Sequence, residues 1–253
     1  MSLVRFHGVS RHFDALVALA PLDLDVRAGE VFGLLGSNGA GKTTALRILC
    51  GLLEPTAGSV TIDGRDVAAD PLAARRQFSF VPDGAPLYAN LSPKQHLALV
   101  GRLHGVDEAR IASETMRLLE ALELADRAND PVGGFSRGMR QKTALACAIL
   151  PRPKLLILDE PLNGLDAPTT AVFKEVLRAW ADRGGSVLYT SHLLDVAERV
   201  CDRVAVLHEG KLLGVGSLDE LRSIAGRDGT LEQVFGAMTN AVDPKLGAAR
   251  ILG

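Results

Sequence analysis

A glycine-rich run, Gly-Ser-Asn-Gly-Ala-Gly-Lys-Thr-Thr at residues 36–44, lies between an apolar stretch of strand length, Val31–Leu35, and a stretch of helical character at 44–49. Strand, glycine loop and helix in that order point to an α/β fold. The run fits the pattern G-x-x-x-x-G-K-[ST], with Gly36 first and then Gly41, Lys42 and Thr43. The chemistry of such a loop is anion capture. Glycines let the backbone bend around a phosphate with no β-carbon in the way, and the amide hydrogens converge on its oxygens. The helix that follows adds a partial positive end of about half a charge. Gly36, Ser37, Asn38, Gly39, Ala40, Gly41, Lys42, Thr43 and Thr44 are therefore the expected phosphate cradle of a nucleotide. In it Lys42 reaches the β- and γ-phosphates and the Thr43 hydroxyl holds magnesium. A glycine-rich turn with no ligand would leave the Lys-Thr pair without a structural job.

The 253 residues suffice for one large α/β domain, or a core with a smaller subdomain. A formal net charge of -2 gives no electrostatic reason to expect a nucleic-acid partner. Apolar residues make up 47 % of the chain but are spread out, and no uninterrupted run approaches the ~20 residues of a membrane span. Residues 16–22 are too short and wrongly flanked for a signal peptide. The chain is expected to be soluble. Its three cysteines, Cys50, Cys147 and Cys201, have no metal-ligand spacing and read as buried small hydrophobes in a reducing compartment.

Residues 1–35 alternate like an antiparallel edge sheet, with Leu22, Leu24 and Val26 on one face and Asp23, Asp25 and Arg27 on the other. A strand at 59–62 closes on the turn signal Asp63-Gly64, and another at 78–81 stops at Pro82. From Ser92 to Leu150 the pattern is helical throughout: a helix opened by Ser92-Pro93, a second at 109–122 and a third at 136–150. Strand character returns at 155–158. Asp166 caps a helix in which Phe173, Leu177 and Trp180 recur at helical spacing, and a further strand follows at 187–190. A hairpin over 204–215 turns at Glu209-Gly210, and Ser217-Leu218-Asp219-Glu220 is a capping box. A last helix is expected at 230–238, and 240–253 reads as a loose tail.

The strand at 155–158 ends in Asp159-Glu160. A carboxylate at the end of a buried strand, beside a phosphate loop, is placed to orient magnesium and its waters, which is the role read for Asp159. Glu160, one residue on, points elsewhere, towards an attacking water.

With these motifs in this order, residues 3–238 resemble the ATP-binding subunits of ABC transporters. The resemblance implies a P-loop NTPase core with a mixed sheet, an N-terminal antiparallel β-subdomain and an inserted α-helical subdomain. It divides the chain into the core at 1–85 and 151–216, the helical subdomain at 86–150, and C-terminal helices and tail at 217–253. It implies that Phe13, in Arg11-His12-Phe13, stacks on adenine. Phe135-Ser136-Arg137-Gly138-Met139 stands at the signature motif, so that Ser136 and Gly138 approach the γ-phosphate held by an opposite subunit. Residues 161–166 match the loop that crosses the dimer interface. His192, after Thr190-Ser191, matches the switch histidine that contacts the γ-phosphate and holds Glu160. The implied catalytic set is Lys42, Glu160 and His192, with ATP and magnesium as ligands.

Two motifs depart from the family pattern. Asp83 stands where a glutamine usually binds magnesium and relays to the membrane subunit; with Thr43 and Asp159 it makes up the expected metal set. Arg137 and Met139 replace the first glycine and the glutamine of the signature motif. Arg137 is read either as adding charge towards phosphate or partner, or as pointing into solvent. These variants, with residues 86–92, look like the branch that exports drugs, antibiotics or lipids. The implied partners are a separate transmembrane permease subunit, meeting the surface from Asp83 to about Leu99, and a second copy of the chain in a head-to-tail homodimer, or a paralogous ATPase subunit. The implied location is cytoplasmic, peripheral on the cytoplasmic face of the inner or plasma membrane. The alternatives are a soluble non-transport ABC ATPase acting on a macromolecular complex, a small-molecule kinase with a phosphate loop, and a module that binds ATP without hydrolysing it. Two cassettes in one chain, long coiled-coil inserts or a basic tail would favour the first. An acceptor pocket would favour the second, and loss of Lys42, Asp159, Glu160 or His192 the third.

Overall fold

The computed structural model describes residues 2–239. The tail expected at 240–253 lies outside them. Two antiparallel strands, β1 (Ser2–Phe13) and β2 (Leu16–Arg27), open the chain, and β3 (Val31–Leu35) runs into the glycine loop and helix α1 (Lys42–Leu49). Then come β4 (Ala57–Ile62), the two-residue β5 (Arg65–Asp66), the short helix α2 (Pro71–Arg75) and β6 (Phe78–Val81). Helices α3 (Pro93–Leu103), α4 (Glu108–Ala121) and α5 (Arg137–Ile149) follow, with single 3₁₀ turns at Ala125–Arg127 and Val132–Gly134. The remainder alternates: β7 (Leu155–Asp159), α6 (Ala167–Asp182), β8 (Ser186–Ser191), α7 (Leu194–Val200), β9 (Arg203–His208), β10 (Lys211–Gly216), α8 (Leu218–Ala225) and α9 (Leu231–Met238).

The strands form two sheets. One has four strands in the order β2-β1-β4-β5, and its register pairs are antiparallel. The other has six, in the order β10-β9-β3-β8-β7-β6, parallel except for the hairpin strand β10. The architecture is thus α/β, with a mixed sheet, an antiparallel sheet and a run of helices between β6 and β7. Parallel strands covered on both faces need apolar residues at every position, and β3, β7 and β8 are buried along their whole length. Alternation divides those residues between two cores. Leu155 and Ile157 face α1 and the antiparallel sheet, whereas Leu156 and Leu158 face the cluster that includes α5, α6 and α7.

Local chemistry fixes most helix ends. Ser92 and Gln95 form a complete capping box on α3, as do Ser217 and Glu220 on α8. Asp166 caps α6 through the Thr169 amide at 2.8 Å. The N-terminal expectation needs one correction. β3 is not part of the edge sheet with β1 and β2; it lies inside the six-stranded sheet, between β8 and β9. Periodicity could not place it, because its partners are more than 150 residues away. Residues 92–150 are also not helical throughout, since left-handed Gly105 and Glu123 end α3 and α4 and the two 3₁₀ turns precede α5. The sequence reading lacked α2 and α7, both short, and α7 has no side-chain cap to announce it. No helix among the described residues is long and apolar enough to cross a membrane.

Ile157 is fully buried where β7 meets the core over α1. Ile157→Ala should cost about 2–5 kcal/mol by loss of burial and cavity formation. A lowered urea midpoint is the expected reading, and an unchanged midpoint would mean that this layer is not packed as described.

Candidate functional site

Four parallel strands end at one edge of the sheet. Leu35 pairs with Ser191, Asp159 with Thr190, and Val81 with Leu158. The segments that leave these strands are the glycine loop, Ser191-His192, Asp159-Glu160 and Pro82-Asp83. Ligands of open α/β sheets bind at this carboxyl edge. A cavity of about 620 Å³ lies here, lined by residues 37–44, by Asp83, Asp159, Glu160 and Glu209, and by residues 16–18 at the start of β2.

The loop is built for close approach. A β-carbon on Gly36 would stand 2.5 Å from the Leu207 carbonyl oxygen. One on Gly41 would stand 2.9 Å from the Ala18 oxygen, and Gly41 has φ 103°, a conformation L side chains rarely adopt. Gly41 is the N-cap of α1 and supplies no side-chain cap, so the first amides of the helix remain available to an anion. Lys42 is the first helical residue. Its ammonium donates to the Gly36 oxygen at 2.7 Å and the Ser37 oxygen at 3.3 Å, and lies 3.3 Å from Glu160 Oε1. The two side chains are only 6 % and 13 % exposed, so each charge depends on the other for compensation.

Glu160 is the hub. Its second oxygen, Oε2, accepts from His192 Nδ1 at 2.9 Å and lies 3.4 Å from the His192 amide. Its backbone is left-handed, φ 46°, which costs a residue with a β-carbon about 1–3 kcal/mol. The Glu160 amide donates to Thr190 Oγ1 at 2.9 Å, which supports that turn from beneath. The same Thr190 hydroxyl donates to Asp159 Oδ1 at 2.6 Å. Thr190 thus ties the two acids to β8, a role that sequence reading missed. The only signal was a polar residue directly after the run Val187-Leu188-Tyr189.

Burial pushes the Asp159 carboxyl above its ordinary range; the Thr190 hydrogen bond and Lys42 act against this, and Glu160 and Asp83 add to it. The raised pKa means that Asp159 favours the folded state at low pH, and that this contribution is lost as pH rises through its folded pKa. Thr190 and Lys42 offset only part of the cost of burying its charged form.

The residues expected to form the site are not all together. Residues 37–44, Asp83, Asp159 and Glu160 share the cavity, and His192 joins them through Glu160. Glu209 and residues 16–18 also line it, and sequence reading gave them no such part. Phe13 is not among the lining residues. It sits at the end of β1 opposite Leu16, 42 % exposed, with the Arg11 guanidinium 4.4 Å from its ring centre. Ser136 and Gly138 are also absent from the cavity wall. Ser136 caps α5, accepting from the Met139 amide at 3.2 Å. Arg137, left open between phosphate, partner and solvent, lies with Nη2 3.5 Å from Asp83 Oδ1.

The oxygen donors fit the expected metal. Thr43, Asp83 and Asp159 line the same cavity, and hard oxygen ligands in small number suit magnesium, which completes its shell with phosphate oxygens and water.

A family model described as ABC transporter matches residues 19–163. The chain is 36 % identical over 205 residues to the ABC transporter ATP-binding protein NatA of Bacillus subtilis, spanning 81 % of this chain and 83 % of that protein. It is 34 % identical over 244 residues to the daunorubicin/doxorubicin resistance ATP-binding protein DrrA of Streptomyces peucetius, spanning 96 % and 74 %. A solved structure described as an ATP-binding subunit of an ABC transporter superposes with a TM-score of 0.89 at 34 % identity, covering 94 % of this chain and 99 % of that one.

Asp159→Asn keeps an acceptor for Thr190 and removes the buried charge. It should raise the thermal midpoint at pH 7, and the gain should fade below about pH 4, where the unfolded carboxyl is itself protonated. Melting curves across that range check it; a gain that is the same at every pH would show that Asp159 is not the titrating group.

Proposed function

The chain belongs to the ABC transporter family as an ATP-hydrolysing subunit, and on that premise we propose that it powers export through a separate membrane permease by ATP-driven closure of a dimer. The observation that carries this reading is the convergence of Lys42, Glu160 and His192 on the phosphate loop. Lys42 and Glu160 lie 3.3 Å apart and Glu160 and His192 2.9 Å apart.

Phosphoryl transfer asks the protein for position and charge neutralisation more than for covalent chemistry. The amides of residues 37–44 and the Lys42 ammonium bind the β- and γ-phosphates. Thr43 and Asp159, with Asp83, hold magnesium, which when bound neutralises charge on the phosphates. Glu160 orients and polarises the attacking water, and His192 keeps its carboxylate in place and contacts the γ-phosphate. Phe13 is read as the adenine platform. Its cross-strand neighbour Leu16 borders the cavity, which supports that reading.

Ser136 and Gly138 complete the site of a second copy packed head to tail, or of a paralogous subunit. Residues 86–150 then act as the subdomain that presents them, and residues 161–166 cross between the two. The stretch from Asp83 to about Leu99 meets the permease on the cytoplasmic face of the inner or plasma membrane. DrrA is described as a resistance protein, and that likeness supports export over a non-transport ATPase; nothing in the charge calls for nucleic acid.

Glu160→Gln should lower phosphate release by about 10²–10⁴-fold, the usual contribution of a positioned base, and should accumulate an ATP-bound dimer in size-exclusion chromatography. A variant with wild-type turnover would refute the assignment of Glu160. One that remains monomeric with ATP and magnesium at high concentration would refute the sandwich.

A further inference from the structure

Asp83 and Arg137, two of the three residues read as departures from the family pattern, lie within ion-pair distance of each other. Asp83 follows β6 and lines the cavity with Asp159. Arg137 is the first residue of α5, directly after the cap Ser136. Its Nη2 lies 3.5 Å from Asp83 Oδ1. Its guanidinium also covers Gly164, where Nη1, Cζ and Nε stand 3.2–3.3 Å from the position a β-carbon would take. One side chain therefore bridges the loop after β6, the loop after β7 and the start of α5.

Helix electrostatics do not account for Arg137. A cation in the first turn opposes the helix dipole, and the first turn of α5 contains no acidic residue to offset it. The nearby compensating charge is Asp83, the same carboxylate that is read as a ligand of magnesium. Arginine offers donors only and is always charged, so its presence beside Asp83 opposes the approach of a second cation. The ion pair is open to solvent, with side-chain exposures of 43 % and 53 %. Exposed pairs of this kind shift an equilibrium by about two- to fivefold, weak enough for a metal to displace.

We propose that Arg137 and magnesium compete for the Asp83 carboxylate. Arg137 is then a positioning residue that sets the metal affinity of the site. When the metal takes Asp83, the guanidinium is released from it, and the change is felt at Gly164 and at the N-terminus of α5, the segments read as meeting the second subunit. The proposal rests on the reading of Asp83 as a metal ligand.

The test uses manganese as a paramagnetic probe, titrated by electron paramagnetic resonance into the full chain with a non-hydrolysable ATP analogue. Wild type, Arg137→Ala, Asp83→Asn and the double variant are compared. Arg137→Ala should lower the half-saturating manganese concentration by about two- to fivefold. Asp83→Asn should raise it, and adding Arg137→Ala to Asp83→Asn should change nothing further. An equal shift from Arg137→Ala in both backgrounds, no shift in either, or a rise in the wild-type background would overturn the competition. If Asp83→Asn alone leaves the titration unchanged, Asp83 is not a ligand, and both the metal reading and the proposal fail.

Discussion

The register of the parallel sheet is the constraint on which the site depends. β3 is held between β8 and β9, and β7 continues the same side through β8. Because Leu35 is level with Ser191 and Asp159 with Thr190, the glycine loop, the two acids and the histidine emerge together. A slip of one residue would turn every side chain to the opposite face. It would also exchange the two cores, since Leu156 and Leu158 belong to one and Leu155 and Ile157 to the other. The packing that buries both faces of the sheet therefore also aligns the chemistry.

What the sheet aligns is electrostatically costly. Lys42 and Glu160 are nearly buried charges that need each other, and burial drives the Asp159 carboxyl upward. Glu160 is held in a left-handed conformation. None of these features favours stability in itself. Thr190 makes the arrangement workable, because a single hydroxyl accepts from the Glu160 amide and donates to Asp159. The left-handed turn separates the directions of two consecutive carboxylates. Asp159 faces Thr190, while Glu160 faces Lys42 and His192.

Residues that act locally were legible in the sequence. The glycine loop, the apolar strand before Asp159 and the caps at Ser92, Asp166 and Ser217 each carry their chemistry within a few residues, and the structure has each as read. What escaped depends on distant partners. β3 was grouped with the N-terminal edge sheet, and only its pairing with β8 and β9 places it inside the parallel sheet. Thr190 gains its role only when β7 lies alongside at the right height. Arg137 and Asp83 are 54 positions apart, and only the packing of α5 against the end of β6 brings them within 3.5 Å. Phe13 shows the reverse: its motif position was readable, but the residue, paired with Leu16 across the hairpin, is not among those that line the cavity.

The proposed turnover depends on Glu160 acting as an oriented base whose carboxylate His192 keeps in place. The most direct measurement is steady-state phosphate release by His192→Ala, with ATP binding determined on the same preparation. Loss of the hydrogen bond to Glu160 should lower turnover by about 10²-fold or more while nucleotide still binds, in line with the worth of a positioned base. Turnover at the wild-type rate with binding intact would contradict it.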